Sequence, residues 1–151
     1  MSKKNGQRKN IAVRLEAAKK PEKTARQEKS PDKFISMNLA WKMSVIDLNG
    51  PWGWSEVSGR ELLIITKRLK ELEVMNLSEI EATGSHEIPK DKICGAAQAR
   101  LAQIHQDDTD LLFSIRVMKR KRAWGIRDGN VVKLIWWDPD HTVYPMNIAN
   151  N

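Results

Sequence analysis

The chain has 151 residues, 40% of them hydrophobic, and a net charge of +7, which allows one compact domain and little more. Met1 to Lys33 holds eleven Lys and Arg against four Asp and Glu, so residues 34–151 sum to zero and the basic excess belongs to an arm. A lone cysteine excludes an internal disulfide, no run nears the ~18 apolar residues of a membrane span, and the basic N-terminus lacks the apolar core of a secretory signal; a reducing, cytoplasmic setting with no membrane partner is the expectation.

Residues 1–33 are rich in Lys, Arg, Gln, Glu and Ser, with Pro21 and Pro31. Such a composition buries too little apolar surface to offset ordering entropy, so a disordered basic arm is predicted. Ile11 to Lys20 has the make-up of a short basic helix that forms on something acidic. The arm reads either as a solvated extension or as a nucleic-acid-binding one. Residues 34–151 form the predicted domain.

Ile35 to Val45 alternates, with Ile35, Met37, Leu39, Trp41, Met43 and Val45 on one side, which predicts a half-buried strand. Asn49-Gly50-Pro51-Trp52-Gly53-Trp54 breaks it with a loop whose tryptophans read as a plug at the domain edge or as ligand-stacking faces. Ser58 and Glu61 make a capping box, followed at helical spacing by Leu62, Ile65, Leu69, Leu72 and Met75, so a first helix runs from Gly59 to about Met75. Asn76 to Thr83 adds a short turn capped by Ser78, and Gly84 to Pro89 is a connector. Lys90 to His105 is a second helix with Ile93, Ala96, Ala97, Leu101 and Ile104 on one face. Cys94 on it reads as a small helix-face residue.

The last third of the chain holds three strands by period two. Asp128-Gly129 is a strong hairpin signal, and with these as the two loop residues Ile126 faces Val131, Trp124 faces Lys133 and Arg122 faces Ile135. Leu111 to Met118 precedes them across a wider turn, Lys119-Arg120-Lys121. A three-residue turn there pairs Met118 with Arg122 and Arg116 with Trp124. A two-residue turn would reverse the parity and put Arg116 on the core side, burying a lone guanidinium. The preferred register gives a core face of Phe113, Ile115, Val117, Ala123, Gly125, Val132, Leu134 and Trp136. The opposite face, Ser114, Arg116, Met118, Arg122, Trp124, Ile126, Lys133, Ile135 and Trp137, interleaves cations with aromatics, a surface suited to phosphates and unstacked bases. One strand, two helices and a three-stranded antiparallel meander make a two-layer α+β domain.

His141, just past the last strand, reads as a general base or acid for phosphodiester cleavage or as a structural tip residue beside Asp138 and Asp140. Arg116, Lys119, Arg120, Lys121, Arg122 and Arg127 read as a phosphate-binding run or a solvated turn. Tyr144 reads as a phosphate donor or a tail anchor. His86 and His105 read as surface residues. The histidines have no metal spacing, no Gly-rich phosphate loop is present, and no cofactor is expected.

The element order, with cations on one face of the meander, resembles the RelE/ParE toxin superfamily. The segment RAWGIRDGNVVKLIWWDPDHTVYP is also similar to the C-terminus of a set of small prokaryotic and phage proteins ending in aromatic-Asp-Pro-x-His-x-Val-Tyr-Pro. The resemblance implies a metal-independent, RelE-like endoribonuclease of a toxin–antitoxin pair, acting on RNA at the ribosome and held by a small acidic antitoxin. In that scheme His141 takes the ribose 2′-hydroxyl proton, Arg116, Arg122 and Arg127 hold the phosphate with Tyr144 near, and Trp124 or Trp137 stacks a base. Lys119, Arg120, Lys121 and Lys133 bind the backbone. A ParE-like gyrase inhibitor and a non-enzymatic nucleic-acid- or protein-binding module are the alternatives.

Overall fold

A computed structural model describes residues 37–145. Its elements are β1 (Ala40–Lys42), α1 (Gly59–Glu73), α2 (Leu77–Ala82), β2 (His86–Pro89), α3 (Gly95–Gln103), β3 (Leu111–Met118), β4 (Lys121–Asp128) and β5 (Val131–Asp138), with 3-10 turns at Trp54–Glu56 and Lys90–Lys92. The arm, its Ile11–Lys20 segment and the first residues of the expected strand, Ile35 and Ser36, lie outside the described residues. The α+β class stands, around one five-stranded mixed sheet in the order β1-β5-β4-β3-β2. β1 runs parallel to β5, and the other neighbours are antiparallel.

Local chemistry sets the helix boundaries. The Ser58 hydroxyl accepts from Glu61 N at 3.1 Å and the Glu61 carboxylate accepts from Ser58 N at 3.1 Å, closing the expected capping box, a device worth about 1 kcal/mol. Asn76 and Glu79 repeat it at α2, so the cap there is Asn76 and not Ser78. The expected strand from Ile35 shrinks to three residues because the chain turns at Met43–Ile46, which brings Asp47 to β5. The expected connector is instead β2, an edge strand ending at Pro89, where a missing N–H costs no ladder bond. The second helix begins only at Gly95, after the 3-10 turn.

Both hairpins differ in detail from the expected register, and both contain a β-bulge. The β3–β4 loop has two residues, Lys119 and Arg120, with Met118 opposite Lys121. Val117 is bulged, which restores the parity that a short loop would reverse: Arg116 pairs with Arg122 and stays off the first core. The β4–β5 loop is Gly129-Asn130, with Asp128 opposite Val131 and Gly129 at φ 65°, the first loop position that a type II′ turn reserves for glycine. This moves the register by two residues and keeps the faces. A bulge at Ile135 then puts Trp136 opposite Trp124 and Trp137 opposite Ala123, exchanging the expected sides of Trp136 and Trp137.

The sheet is covered on both faces, so the expected two layers become three. The first core joins Phe113, Ile115, Val117, Ala123, Val132, Leu134 and Trp137 of the sheet to Ile65 and Leu72 of α1 and to Leu77 and Ile80 of α2. The second joins Leu112, Trp124, Ile126, Ile135 and Trp136 to Ile93, Ala97 and Leu101 around α3, to Trp52, and to Val143. The apolar side of the Lys90–His105 segment, expected to share one sheet face with the first helix, supplies this second layer instead.

Two carboxylates fix the cover on the second face. Asp47 accepts from Arg100 Nε and Nη2 of α3, each at 2.8 Å, from Trp136 Nε1 at 3.0 Å and from Gly50 N at 3.1 Å. Arg100 is the main cause holding the Asp47 carboxyl down at about 2. Asp138, fully buried, accepts from Thr142 N at 2.9 Å, Val143 N at 3.0 Å, Thr142 Oγ1 at 3.2 Å and Trp124 Nε1 at 3.3 Å. The turn after β5 is thereby folded back onto the sheet. Trp52 completes the cover, donating from Nε1 to Thr142 Oγ1 at 2.8 Å.

Candidate nucleic-acid interface

The uncovered end of the second face is built by the β3–β4 hairpin. Alternation points Leu112, Ser114 and Arg116 of β3 and Arg122, Trp124 and Ile126 of β4 to that face. Reading outward along it, the Ser114, Trp124 and Trp136 row is buried. The next row is Arg116, Arg122 and Asp138. Five cations thus crowd into residues 116–122: Arg116, Lys119, Arg120, Lys121 and Arg122.

Their partners are unequal. Lys121 Nζ lies 3.9 Å from Glu61 of α1, and Arg122 Nη1 donates to the carbonyls of Lys119 at 2.6 Å and Lys121 at 3.2 Å. Among the described residues no carboxylate lies within 4.0 Å of the Arg116 or Arg122 guanidinium. Burial, and then the charge of Arg116, lower the Arg122 pKa below the usual guanidinium value, against a weaker pull from Asp138. Like charges directly opposite on neighbouring strands cost several tenths of a kcal/mol or more, on the order of 0.2–1 kcal/mol. The backbone holds them there regardless: Arg116 N donates to Ser85 Oγ at 2.9 Å, and Arg116 O accepts from Arg68 Nε of α1 at 3.1 Å. Lys119, exposed at the loop, has φ 47°.

Of the residues singled out in the sequence, Arg116, Lys119, Arg120 and Arg122 come together, while Lys121 shares the parity of Ala123 and is drawn to Glu61 of α1. His141 lies in the turn that follows Asp138, half-buried and at φ 58°. The others do not join. Arg127 alternates with Ala123 and Gly125 onto the opposite face, where its Nε donates to Glu87 at 2.9 Å and its Nη1 to Gly129 O at 2.8 Å. Parity on β4 already separates it from Arg122. Lys133 faces Ile126, four residues along β4 from Arg122, roughly 13 Å away. Tyr144 packs against the second core.

The expected base-stacking face is absent. Trp124 is 1% exposed and Trp137 4% exposed, the first under the α3 layer and the second against α1, where its Nε1 reaches Glu61 at 3.4 Å. Trp52 and Trp54 are plugs and not stacking faces: Trp54 Nε1 donates to Ile135 O at 3.1 Å, and Trp52 tilts against Trp136 with ring centroids 5.2 Å apart.

One residue that the sequence reading left aside belongs here. His86 pairs with Ser114, on the strand beside Arg116, and its Nδ1 lies 3.3 Å from Gly84 O. Gly84 has φ 96°, and a Cβ on it would stand 3.2 Å from Arg116 Cδ and 3.3 Å from Nη1, so the imidazole and the guanidinium converge on one glycine. Nothing in the local sequence signals this, because it needs the β2–β3 pairing. Among the described residues no three His, Cys, Asp or Glu gather as a metal site would need, and no helix is long and apolar enough to cross a membrane. No protein-family model matches this chain, and no curated protein or solved structure does.

Proposed function

We propose that the domain binds nucleic acid, RNA in the first place, by gripping phosphate at the Arg116–Arg122 end of the sheet. The observation that carries this is the cross-strand pair of arginines, neither of which has a carboxylate within 4.0 Å among the described residues, Asp138 beside Arg122 being taken up by the turn that follows it. An anion between them turns a mutual repulsion into two charge-assisted, fork-shaped contacts. Lys119 and Arg120 extend the positive surface past the row, and the basic arm adds sequence-independent attraction. With both candidate tryptophans buried, the contact is to backbone and not to bases, so affinity should vary little with sequence.

Titration of a fluorescent single-stranded RNA tests this. The Arg116→Ala/Arg122→Ala double variant should bind at least about tenfold more weakly than wild type, since two charge-assisted bonds are lost, and Arg127→Ala should bind as wild type does. Equal affinity in all three chains would refute the reading.

RNA cleavage of the RelE-like kind is the second reading, favoured by two histidines on the strands and turns that flank the arginines, His86 on β2 and His141 three residues after Asp138 in the turn that follows β5. One imidazole would take the 2′-hydroxyl proton and the other would protonate the leaving 5′ oxygen, while the arginines hold the developing charge. Incubation with RNA and with ribosomes, followed by mapping of 2′,3′-cyclic phosphate ends, decides it. Loss of those ends in His86→Ala and His141→Ala, with binding kept, is the expected pattern; intact RNA in wild type removes the enzyme.

A further inference from the structure

We propose that the Arg116–Arg122 row takes a terminal phosphate of a nucleic acid, a phosphomonoester at a strand end, in preference to an internal phosphodiester. This rests on the binding reading above and names the ligand of the same site. Three observations lead there.

The first is charge and oxygen count. Arg116 makes no side-chain hydrogen bond within the described residues, and Arg122 spends only Nη1 on carbonyls, leaving most donors of two guanidiniums for one ligand. A monoester carries a charge of about −1.5 to −2 and three unesterified oxygens. An internal diester carries one charge and two such oxygens. Two guanidiniums carried at directly opposite cross-strand positions match the first better than the second.

The second is the shape of the site. Inward from the arginines, the next row on the same face is Ser114, Trp124 and Trp136, each 4% exposed or less, about 7 Å along the strands. On the β5 side the Asp138-pinned turn and Trp52 close over the sheet. On the β2 side Gly84 and His86 form the edge, with the Arg116 side chain laid against Gly84. A continuous backbone following the sheet meets a wall one row in, whereas a strand end needs no onward path.

The third is the lack of any exposed aromatic beside the row, since Trp124, Trp136 and Trp137 are all buried. Polymers held along their length use such faces base after base. A site that holds one phosphate does not need them.

Three versions of one short RNA distinguish the possibilities, with 5′-hydroxyl and 3′-hydroxyl ends, with a 5′-phosphate, and with a 3′-phosphate, each titrated against the full chain. One phosphorylated end should bind about tenfold more tightly than the hydroxyl-ended RNA. That preference should vanish in Arg116→Ala and in Arg122→Ala, and inorganic phosphate at millimolar concentration should compete it away. Arg122→Lys, which keeps charge without the fork, should keep only part of it. Equal affinity of wild type for all three RNAs overturns the inference, as does a preference that survives both alanine variants. If hydroxyl-ended RNA still loses affinity in the double variant, the binding reading stands and only the terminal-phosphate inference falls; if no RNA depends on either arginine, both fall.

Discussion

Arg100 and the Arg116–Arg122 pair belong to the same side of the sheet, and their surroundings are opposite. Arg100 forks onto Asp47, which also accepts from Trp136 and Gly50, and the carboxylate raises its pKa in turn. Arg116 and Arg122 sit opposite each other on neighbouring strands, with carbonyls as the only hydrogen-bond partners of the Arg122 guanidinium and Asp138 beyond ion-pair distance, and burial and repulsion lower the pKa of Arg122. The first arrangement satisfies itself, holding α3 and the Asp47–Trp54 loop onto β5. The second, on the proposed reading, is completed by an anion from outside. Within a domain that is neutral in sum, partnering and not the number of charges separates structural arginine from binding arginine.

The contrast breaks first at Asp47. Asp47→Ala removes both bonds to Arg100 and leaves the Trp136 indole N–H buried without its acceptor. Breaking a fully buried ion pair costs about 3–5 kcal/mol, and because Arg100 is partly exposed a loss at the low end, about 3 kcal/mol, is expected in urea unfolding. RNA affinity of the folded fraction should not change. A cost below about 1 kcal/mol would mean that the Asp47 cluster does not hold the second layer. Asp138→Ala comes next, at about 2–3 kcal/mol, because several donors lose one buried acceptor. Hydrogen exchange should show the Thr142 and Val143 amides losing protection while the core of β4 keeps its own.

Acid titration sharpens the same side of the comparison. The folded-state pKa of Asp47, about 2, lies below its ordinary value of 3.8, so the folded chain favours the charged carboxylate. Its contribution is present in full above about pH 4 and fades as pH falls toward 2, on the order of 2 kcal/mol in all. The difference in unfolding free energy between wild type and Asp47→Asn should therefore narrow across that window. A constant difference would place the Asp47 effect in shape and not in charge.

The smallest stability change belongs to the other side. Arg116→Ala leaves the backbone bonds to Ser85 and Arg68 in place and removes a like-charge contact, so stability should hold within about 0.5 kcal/mol or rise slightly. A marked loss would give the row a structural duty that its contacts do not show.

How much of this the sequence discloses depends on distance along the chain. The Ser58–Glu61 box is local, and α1 starts where its residues predict. Asn76 and Glu79 repeat the same pattern and are equally readable, although Ser78 lies close enough to compete for the cap. Parity on β4 alone moves Arg127 away from Arg122. The bulges at Val117 and Ile135 are not readable from alternation, yet they decide where Arg116, Trp136 and Trp137 point. The bulge at Ile135 answers to long-range bonds: its carbonyl accepts from Asp47 N at 3.0 Å and from Trp54 Nε1 at 3.1 Å, and Trp136 reaches Asp47 across 89 residues. Burial of Trp124 depends on equally distant partners, the α3 layer and the turn pinned by Asp138. A face that reads as cations among aromatics is in the structure a buried aromatic layer with cations left at its open end.

The central claim is that this open end grips phosphate, and the salt dependence of RNA binding tests it most directly. Each phosphate neutralised on a single strand contributes about 0.7 to the slope of log affinity against log salt. Loss of the one phosphate that the two arginines share should therefore flatten the slope of the Arg116→Ala/Arg122→Ala chain by about 0.7 relative to wild type, over the background that the arm provides in both. Arg127→Ala, altered on the opposite face, should keep the wild-type slope. Parallel slopes for the double variant and wild type would contradict the claim and leave the arm as the whole of the electrostatic contact.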